Sequence, residues 1–380
     1  MGLSHFQNAK ITGIKMVLPK KCINIEDEIH FYNNNPKLLT RNKKILGLGS
    51  RYVIDNNITC LDLCEQAAKE LFEEMNIDTS TIDTVIDASN CHEYCSPADA
   101  CILHGRLNLN EDCACFDIGG LSCSAYVHAL WLAHSLISSG ASKKCLILAG
   151  DMNSLHSDVK NRISNMLYSD AGSATLVEYS DNANDSYFYT GTRGKDWDKI
   201  IVPASGTKLP VRNDIANIEI TDKDGNVWHL WDEVLKGMDV FKFTMENAPY
   251  SANKILNFAN MTMDDIDFVA FHQANGQIVK TVAMHSNVPK EKYTNETFSK
   301  YANCAAASVV SNICDALYNR NINKLMMITF GVGLSWGTTI VDFKNVHNGG
   351  ISFYEDKKEQ KTRKELIDYW IKYFKGEEKC

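Results

Sequence analysis

The chain has 380 residues, 44% hydrophobic and 23% charged, with a formal net charge of −8. That length and composition fit one large or two ordinary folded domains and exclude a small disulfide scaffold, while the negative balance gives no electrostatic footprint for nucleic acid. No run approaches the roughly 18 apolar residues that a membrane span requires, so no membrane span is expected. The opening Met-Gly-Leu-Ser-His-Phe has no charged region followed by an apolar one, and Phe6 stands where a myristoylation signal wants Ser or Thr. The 13 cysteines are odd in number and scattered, which reads as free thiols in a reducing compartment and makes the cytoplasm the expected location. Cys60 with Cys64, Cys91 with Cys95 beside His92, and Cys113 with Cys115 lie close together, but none has the paired Cys-x2-Cys spacing of a zinc site, so no metal is expected.

In chain order, residues 61–74 carry apolar Leu61, Leu63, Ala67, Ala68, Leu71 and Phe72 at helical spacing among charges, which predicts an amphipathic surface helix. Residues 84–88, 114–118 and 145–149 are short apolar runs of the buried-strand kind. Residues 124–139 are apolar on most sides and end at Gly140, the pattern of a central buried helix. A second set of similar units begins near Tyr187: a helix over 241–258 interrupted at Pro249, a strand over 266–271, a small-residue helix over 305–318 and a strand over 325–330. Asp-Lys-Asp-Gly between residues 218–221 and 227–230 marks a hairpin inserted into this second half. The alternation predicts an α/β protein of two similar halves, 1–180 and 181–344. A charged extension over 345–380 follows, with Leu366, Ile367, Trp370, Ile371 and Phe374 at helical spacing.

Four segments point to chemistry. In Phe116-Asp-Ile-Gly-Gly-Leu-Ser-Cys123, a strand runs through a glycine turn and delivers one cysteine to the start of the central helix. Unpaired N–H groups and the helix dipole there favour a thiolate, the form that attacks a thioester. Taken alone, a cysteine in an apolar segment is more often inert packing. His272-Gln-Ala-Asn275 follows an apolar strand, and active sites of α/β folds gather at the carboxyl ends of strands; a lone histidine there is otherwise a satisfied core residue. Asn303 precedes a helix of small residues, and its ordinary reading is an N-cap. Thr329-Phe-Gly-Val-Gly-Leu-Ser-Trp-Gly337 is a strand entering a glycine-rich turn that aims a backbone N–H at a developing oxyanion.

In this order, these segments resemble the β-ketoacyl synthase III family of the thiolase fold, across roughly residues 8 to 343. Tyr168-Ser-Asp-Ala-Gly-Ser-Ala-Thr and Gly47-Leu-Gly-Ser-Arg51 resemble two further segments of that family. The resemblance implies a five-layer α-β-α-β-α arrangement and a homodimer with no permanently bound cofactor, whose substrates are coenzyme A or phosphopantetheine thioesters. It implies that Cys123 takes an acyl group from acyl-coenzyme A or an acyl carrier protein. A malonyl thioester then loses carbon dioxide under the influence of His272 and Asn303, and its enolate attacks the acyl-cysteine. The backbone N–H groups of Cys123 and Val332 would form the thioester oxyanion hole, Arg162 would lie against the adenine of coenzyme A, Tyr94 is a candidate to cross the dimer interface and cap the partner's acyl pocket, and Phe330 is a candidate for a wall of the acyl pocket.

Several positions depart from the family. The loop from Asp117 to Cys123 is one residue longer, Val332 stands where the turn usually has glycine, and Ile45 and Gln277 replace two arginines of the carrier face. These losses of guanidinium groups favour a specialised fatty-acyl or polyketide-type pathway over the initiation of ordinary fatty-acid synthesis. Glu93 is a possible base, as in relatives that join two acyl chains; most such glutamates are merely solvated. Two other functions stay open: an acyltransferase that passes the acyl group from Cys123 to an alcohol or amine, and a non-catalytic acyl-binding partner subunit.

Overall fold

The structure, a computed structural model, describes residues 2–32, 34–55, 57–157, 160–161, 164–182, 184–355 and 360–377. Arg162 lies outside the described residues. The apolar runs assemble into two mixed sheets. One has the order His347–Phe353, Ala9–Leu18, Ala171–Tyr179, Lys144–Asp151, Thr84–Asp87, Ala114–Asp117, and the other the order Leu3–Phe6, Ser186–Thr192, Ser335–Asp342, Lys324–Gly331, Phe268–Phe271. Each repeats one motif: a strand parallel to its neighbour, which then pairs antiparallel with the next, as in Thr84–Asp87 with Lys144–Asp151 and Ala171–Tyr179, and Phe268–Phe271 with Lys324–Gly331 and Ser335–Asp342. The two halves also exchange strands. Leu3–Phe6 pairs with Ser186–Thr192 in the second sheet, and His347–Phe353 runs parallel to Ala9–Leu18 in the first.

The helices Ala125–Ser138 and Ser308–Ala316 lie between the sheets. Tyr126, Leu130, Val309 and Ile313 share one core with Ile14 and Ile147 of the first sheet and Phe268 and Met327 of the second. Each such fully buried side chain contributes about 1.5–3 kcal/mol, which explains why the first helix is apolar nearly all round. Cys60–Met75 and Asp99–Arg106 cover the outer face of the first sheet, and Gly237–Ala259 and Gly276–His285 that of the second. The result is the five-layer arrangement of the thiolase fold. Pro249 stands inside an unbroken Gly237–Ala259 helix.

Two expectations are corrected. Cys60–Met75, opened by a capping box between Thr59 and Asp62, is not a surface helix: most of its residues are buried. The chain after residue 352 covers its outer side, where Gln66 Nε2 donates to Phe353 O at 3.1 Å and Glu355 N donates to Gln66 Oε1 at 2.8 Å. The segment after residue 344, expected as a charged helical extension, begins with the strand His347–Phe353, and among its described residues Arg363–Phe374 is helical. No helix among the described residues is long and apolar enough to cross a membrane.

The inserted hairpin forms where Asp-Lys-Asp-Gly predicts it, with Ile220–Thr221 antiparallel to Val227–Trp228. Its return leg then pairs Val234–Leu235 with Ile200–Ile201. That second pairing carries the insertion back toward the junction of the two sheets.

Candidate active site

A cavity of about 620 Å³ opens where the strand ends meet, and Cys123, His272, Asn303, Phe330 and Val332 all line it. Cys123 sits in the tight turn Ser122–Ser124 that leads into the helix Ala125–Ser138. Ser122 just before it is held at φ 47°, a left-handed conformation that only a constrained turn imposes on a non-glycine residue. Gly331 is required beside this turn: a Cβ there would stand 2.3 Å from Leu121 O and 2.7 Å from Ser124 N. Hydroxyls tie the two loops together, Ser124 Oγ lying 2.6 Å from Ser335 Oγ, which in turn donates to Val332 O at 2.6 Å. Substituting Gly331 with alanine is therefore expected to cost about 1–3 kcal/mol and to slow any reaction at Cys123, read by denaturant unfolding and by thiol reactivity together.

The carbonyl face of the cavity has two free backbone donors. Among the described residues, no hydrogen bond engages the N–H of Cys123 or of Val332. Val332 is not among the residues at positive φ, whereas Gly333 takes φ 121°, so valine fits a turn whose left-handed position falls one residue later.

The electrostatics at Cys123 run against the simple helix-dipole expectation. Burial pushes the thiol up to about 12, and the carboxylates of Glu233 and Asp151 act in the same direction, outweighing the opposite pull of the Ser122 hydroxyl and the Asn303 amide. The resting group is a thiol. Below that value the thiolate fraction grows tenfold per pH unit, so alkylation of Cys123 by iodoacetamide is expected to rise about tenfold per unit from pH 7 to 9.5 without a plateau. Peptide mapping checks this, because Cys22, Cys95 and Cys101 are exposed and react as well; a plateau near pH 7 would contradict it.

His272 follows the strand Phe268–Phe271 and is 3% exposed. Its Nδ1 lies 2.9 Å from Ser308 Oγ, an oxygen that already accepts from Gln273 N at 2.8 Å. That hydroxyl can give its own proton to Nδ1, and in this tautomer the ring proton stands on Nε2, on the cavity side. Burial pushes the imidazole down to about 3, so it stays a neutral N–H donor at any working pH. Phe330 packs edge-on against its ring at 5.0 Å between centroids.

Asn303 is not a plain N-cap. Its backbone pairs with residues 167–169, its Oδ1 accepts from Ala305 N at 2.9 Å, and its amide nitrogen is thereby turned toward Cys123. Ala302 and Ala305 on either side take φ 52° and 43°. Strained backbone thus flanks both Cys123 and Asn303. Asp151 locks the halves together behind them, accepting from Asn90 N at 2.8 Å and Ala306 N at 3.0 Å.

Other sequence candidates go elsewhere. Tyr94 is 40% exposed and stands edge-on to Trp370, away from the cavity of its own chain. Glu93 does not reach the cavity: Arg106 holds both its oxygens, at 3.0 and 2.8 Å, and Thr59 donates to one of them. His92, weighed with the neighbouring cysteines, binds Asp99 at 3.0 Å instead. Gln277 lines the cavity, and Ile45 is exposed on the surface. Sequence reasoning missed Ser308, although it lies in the Asn303 segment, and Glu233, which lines the cavity from the inserted hairpin and carries no motif.

The fold and the cavity define a condensing enzyme of the thiolase fold. Residues 116–194 match the family model of 3-oxoacyl-[acyl-carrier-protein] synthase III, and residues 256–343 match the model of its C-terminal part. The chain is 34% identical to a Campylobacter jejuni protein named 3-oxoacyl-[acyl-carrier-protein] synthase 3, over 93% of this chain and 99% of that one. It is 28% identical to a β-ketoacyl-[acyl-carrier-protein] synthase III of Acholeplasma laidlawii, over 88% and 98%. A crystal structure of a 3-oxoacyl-(acyl-carrier protein) synthase from Burkholderia xenovorans superimposes with a TM-score of 0.83 at 28% identity, covering 93% of this chain and 99% of that one. The chain belongs to the 3-oxoacyl-[acyl-carrier-protein] synthase III family.

Proposed function

We propose that the protein forms an acyl thioester on Cys123 and condenses it decarboxylatively with a malonyl thioester. The observation that carries this reading is the convergence of a thiol, a neutral imidazole N–H and a carboxamide N–H on one cavity. In the first step the Cys123 sulfur attacks the carbonyl of an acyl-coenzyme A or acyl-carrier thioester. The carbonyl oxygen takes up charge against the N–H groups of Cys123 and Val332, and the donor thiol leaves with the proton that Cys123 gave up. In the second step malonyl thioester loses carbon dioxide. The electron pair left behind forms an enolate whose oxygen is met by His272 Nε2–H and the Asn303 amide, and the carbon attacks the acyl-cysteine, forming the C–C bond and breaking the C–S bond, after which the Cys123 thiolate takes up one proton from solvent. A histidine held neutral suits this role, because it donates without having to lose a charge.

Glu93 has no part in this scheme, and the cavity mouth offers Gln277 in place of a cation, which supports a specialised fatty-acyl or polyketide-type pathway. Homodimer formation, with Tyr94 reaching a partner's pocket, Arg162 against coenzyme A and a cytoplasmic location belong to the same proposal, as does the division of function into halves 1–180 and 181–344. The test is product analysis after incubation with an acyl donor and malonyl thioester. A β-ketoacyl product with one carbon dioxide per turnover is expected. Discharge of the acyl group only to an added amine or alcohol would replace condensation with acyl transfer.

A further inference from the structure

Glu233 is out of keeping with a cavity built for a saturated acyl chain. Most of the wall is apolar, from Leu46, Leu48, Ile200, Leu235 and Phe243 among others, and among the described residues Glu233 is its one carboxylate, with no lysine or arginine beside it. The position is built and not incidental. The preceding turn is locked by Asp232, whose Oδ2 accepts from His229 N at 2.6 Å and lies 3.0 Å from His229 Nδ1, and Glu233 N donates to His156 O at 3.0 Å. One carboxylate oxygen accepts from Tyr168 Oη at 2.6 Å, and Tyr168 also lines the cavity. Among the described residues no hydrogen bond is made to the other oxygen. Glu233 stands close enough to Cys123 for its charge to raise the thiol, ahead of Asp151 in effect.

The other oxygen is open to the cavity, and covering it with a group that offers no hydrogen bond is costly. A plain alkyl chain laid along it would displace water and return no hydrogen bond, which penalises that substrate. A chain that carries its own N–H or O–H would supply the missing donor. Tyr168 holds one oxygen fixed, so the carboxylate is aimed before the substrate arrives. Burial raises the Glu233 carboxyl above its usual range, against the lowering bond from Tyr168, and in either protonation state its carbonyl-type oxygen accepts from such a donor.

We infer that Glu233 determines acyl specificity: the acyl group taken up by Cys123 carries a hydrogen-bond donor, a hydroxyl or an amine, within a few carbons of the thioester, and Glu233 binds it. This rests on the acyl-enzyme reading above. It concerns the chain held on Cys123, not the malonyl unit, and makes Glu233 a positioning group that leaves the bond changes as described.

The experiment uses the full-length protein and matched coenzyme A thioesters, butyryl against 3-hydroxybutyryl and 3-aminobutyryl and the same series substituted at C4, with the initial rate of adduct formation on Cys123 read by intact-protein mass spectrometry. Wild type is expected to favour at least one substituted donor over its plain partner by about tenfold or more. Glu233→Leu is expected to bring that ratio to one or below, and Glu233→Gln to keep the preference for a hydroxyl while losing that for an amine. The wild-type ratio needs no variant, so a misfolded Glu233→Leu does not blunt the test. Faster acylation by every plain chain, or an unchanged ratio in a folded Glu233→Leu, overturns the inference while leaving the acyl-enzyme intact. Absence of any adduct from any donor overturns both.

Discussion

Cys123→Ala is expected to abolish acyl-adduct formation and to reduce condensation by at least about 10⁴-fold, the scale on which removal of a covalent nucleophile is felt. The loss falls on bond formation and not on folding. The sulfur lines a cavity, and the turn that presents it is held by Gly331 and by the Ser124–Ser335 hydroxyl pair, none of which needs the thiol. Unfolding of the variant should therefore match wild type within about 1 kcal/mol, since the thiol gives up only weak bonds to sulfur such as that with Ser122 Oγ at 3.7 Å. Equal loss of stability and activity would mean that Cys123 is packing after all. Eleven of the other cysteines are described as free, and several are more exposed, so the variant also shows whether any of them substitutes for it.

His272→Ala is expected to separate the two steps. Acylation of Cys123 should survive, because the donors facing the thioester carbonyl are backbone groups of Cys123 and Val332. Decarboxylation of the malonyl unit should fall about 10²–10³-fold, the usual effect of deleting one oxyanion donor. Asn303→Ala should act in the same direction. It also removes the Oδ1 bond to Ala305 N that steadies a strained segment, so part of its loss is conformational. Single-turnover measurements of adduct formation and carbon dioxide release distinguish these outcomes. Because His272 is neutral well below pH 6, the decarboxylation step should show no inflection from it between pH 5 and 9. A bell-shaped profile centred on the ordinary histidine range would contradict that assignment.

Much of this was legible in the sequence because it rests on local pattern. Apolar runs bounded by turns marked the strands, and the apolar residues 124–139 marked a helix packed between the two sheets, with one edge at Trp131 left exposed. His272 at a strand end and Asn303 just ahead of a helix stood out against apolar neighbours. What escaped was determined by tertiary contact. The helix Cys60–Met75 has the periodicity of a surface helix and becomes buried because residues far along the chain lie across it. The thiolate expected from the helix terminus is countered by enclosure and by two carboxylates, Glu233 and Asp151, which are distant in sequence. Glu233 itself lay in a hairpin whose turn was readable, while the second pairing of Val234–Leu235 with Ile200–Ile201 that swings it to the cavity was not.

The measurement closest to the central claim is peptide-level mapping of the acyl adduct after brief exposure to a thioester donor, followed by a chase with malonyl thioester. The expected result is a single acyl group on the peptide bearing Cys123, among 13 cysteines in the chain, that disappears on the chase with appearance of a β-ketoacyl product. An adduct on another cysteine, or one on Cys123 that the malonyl thioester leaves untouched, would contradict it.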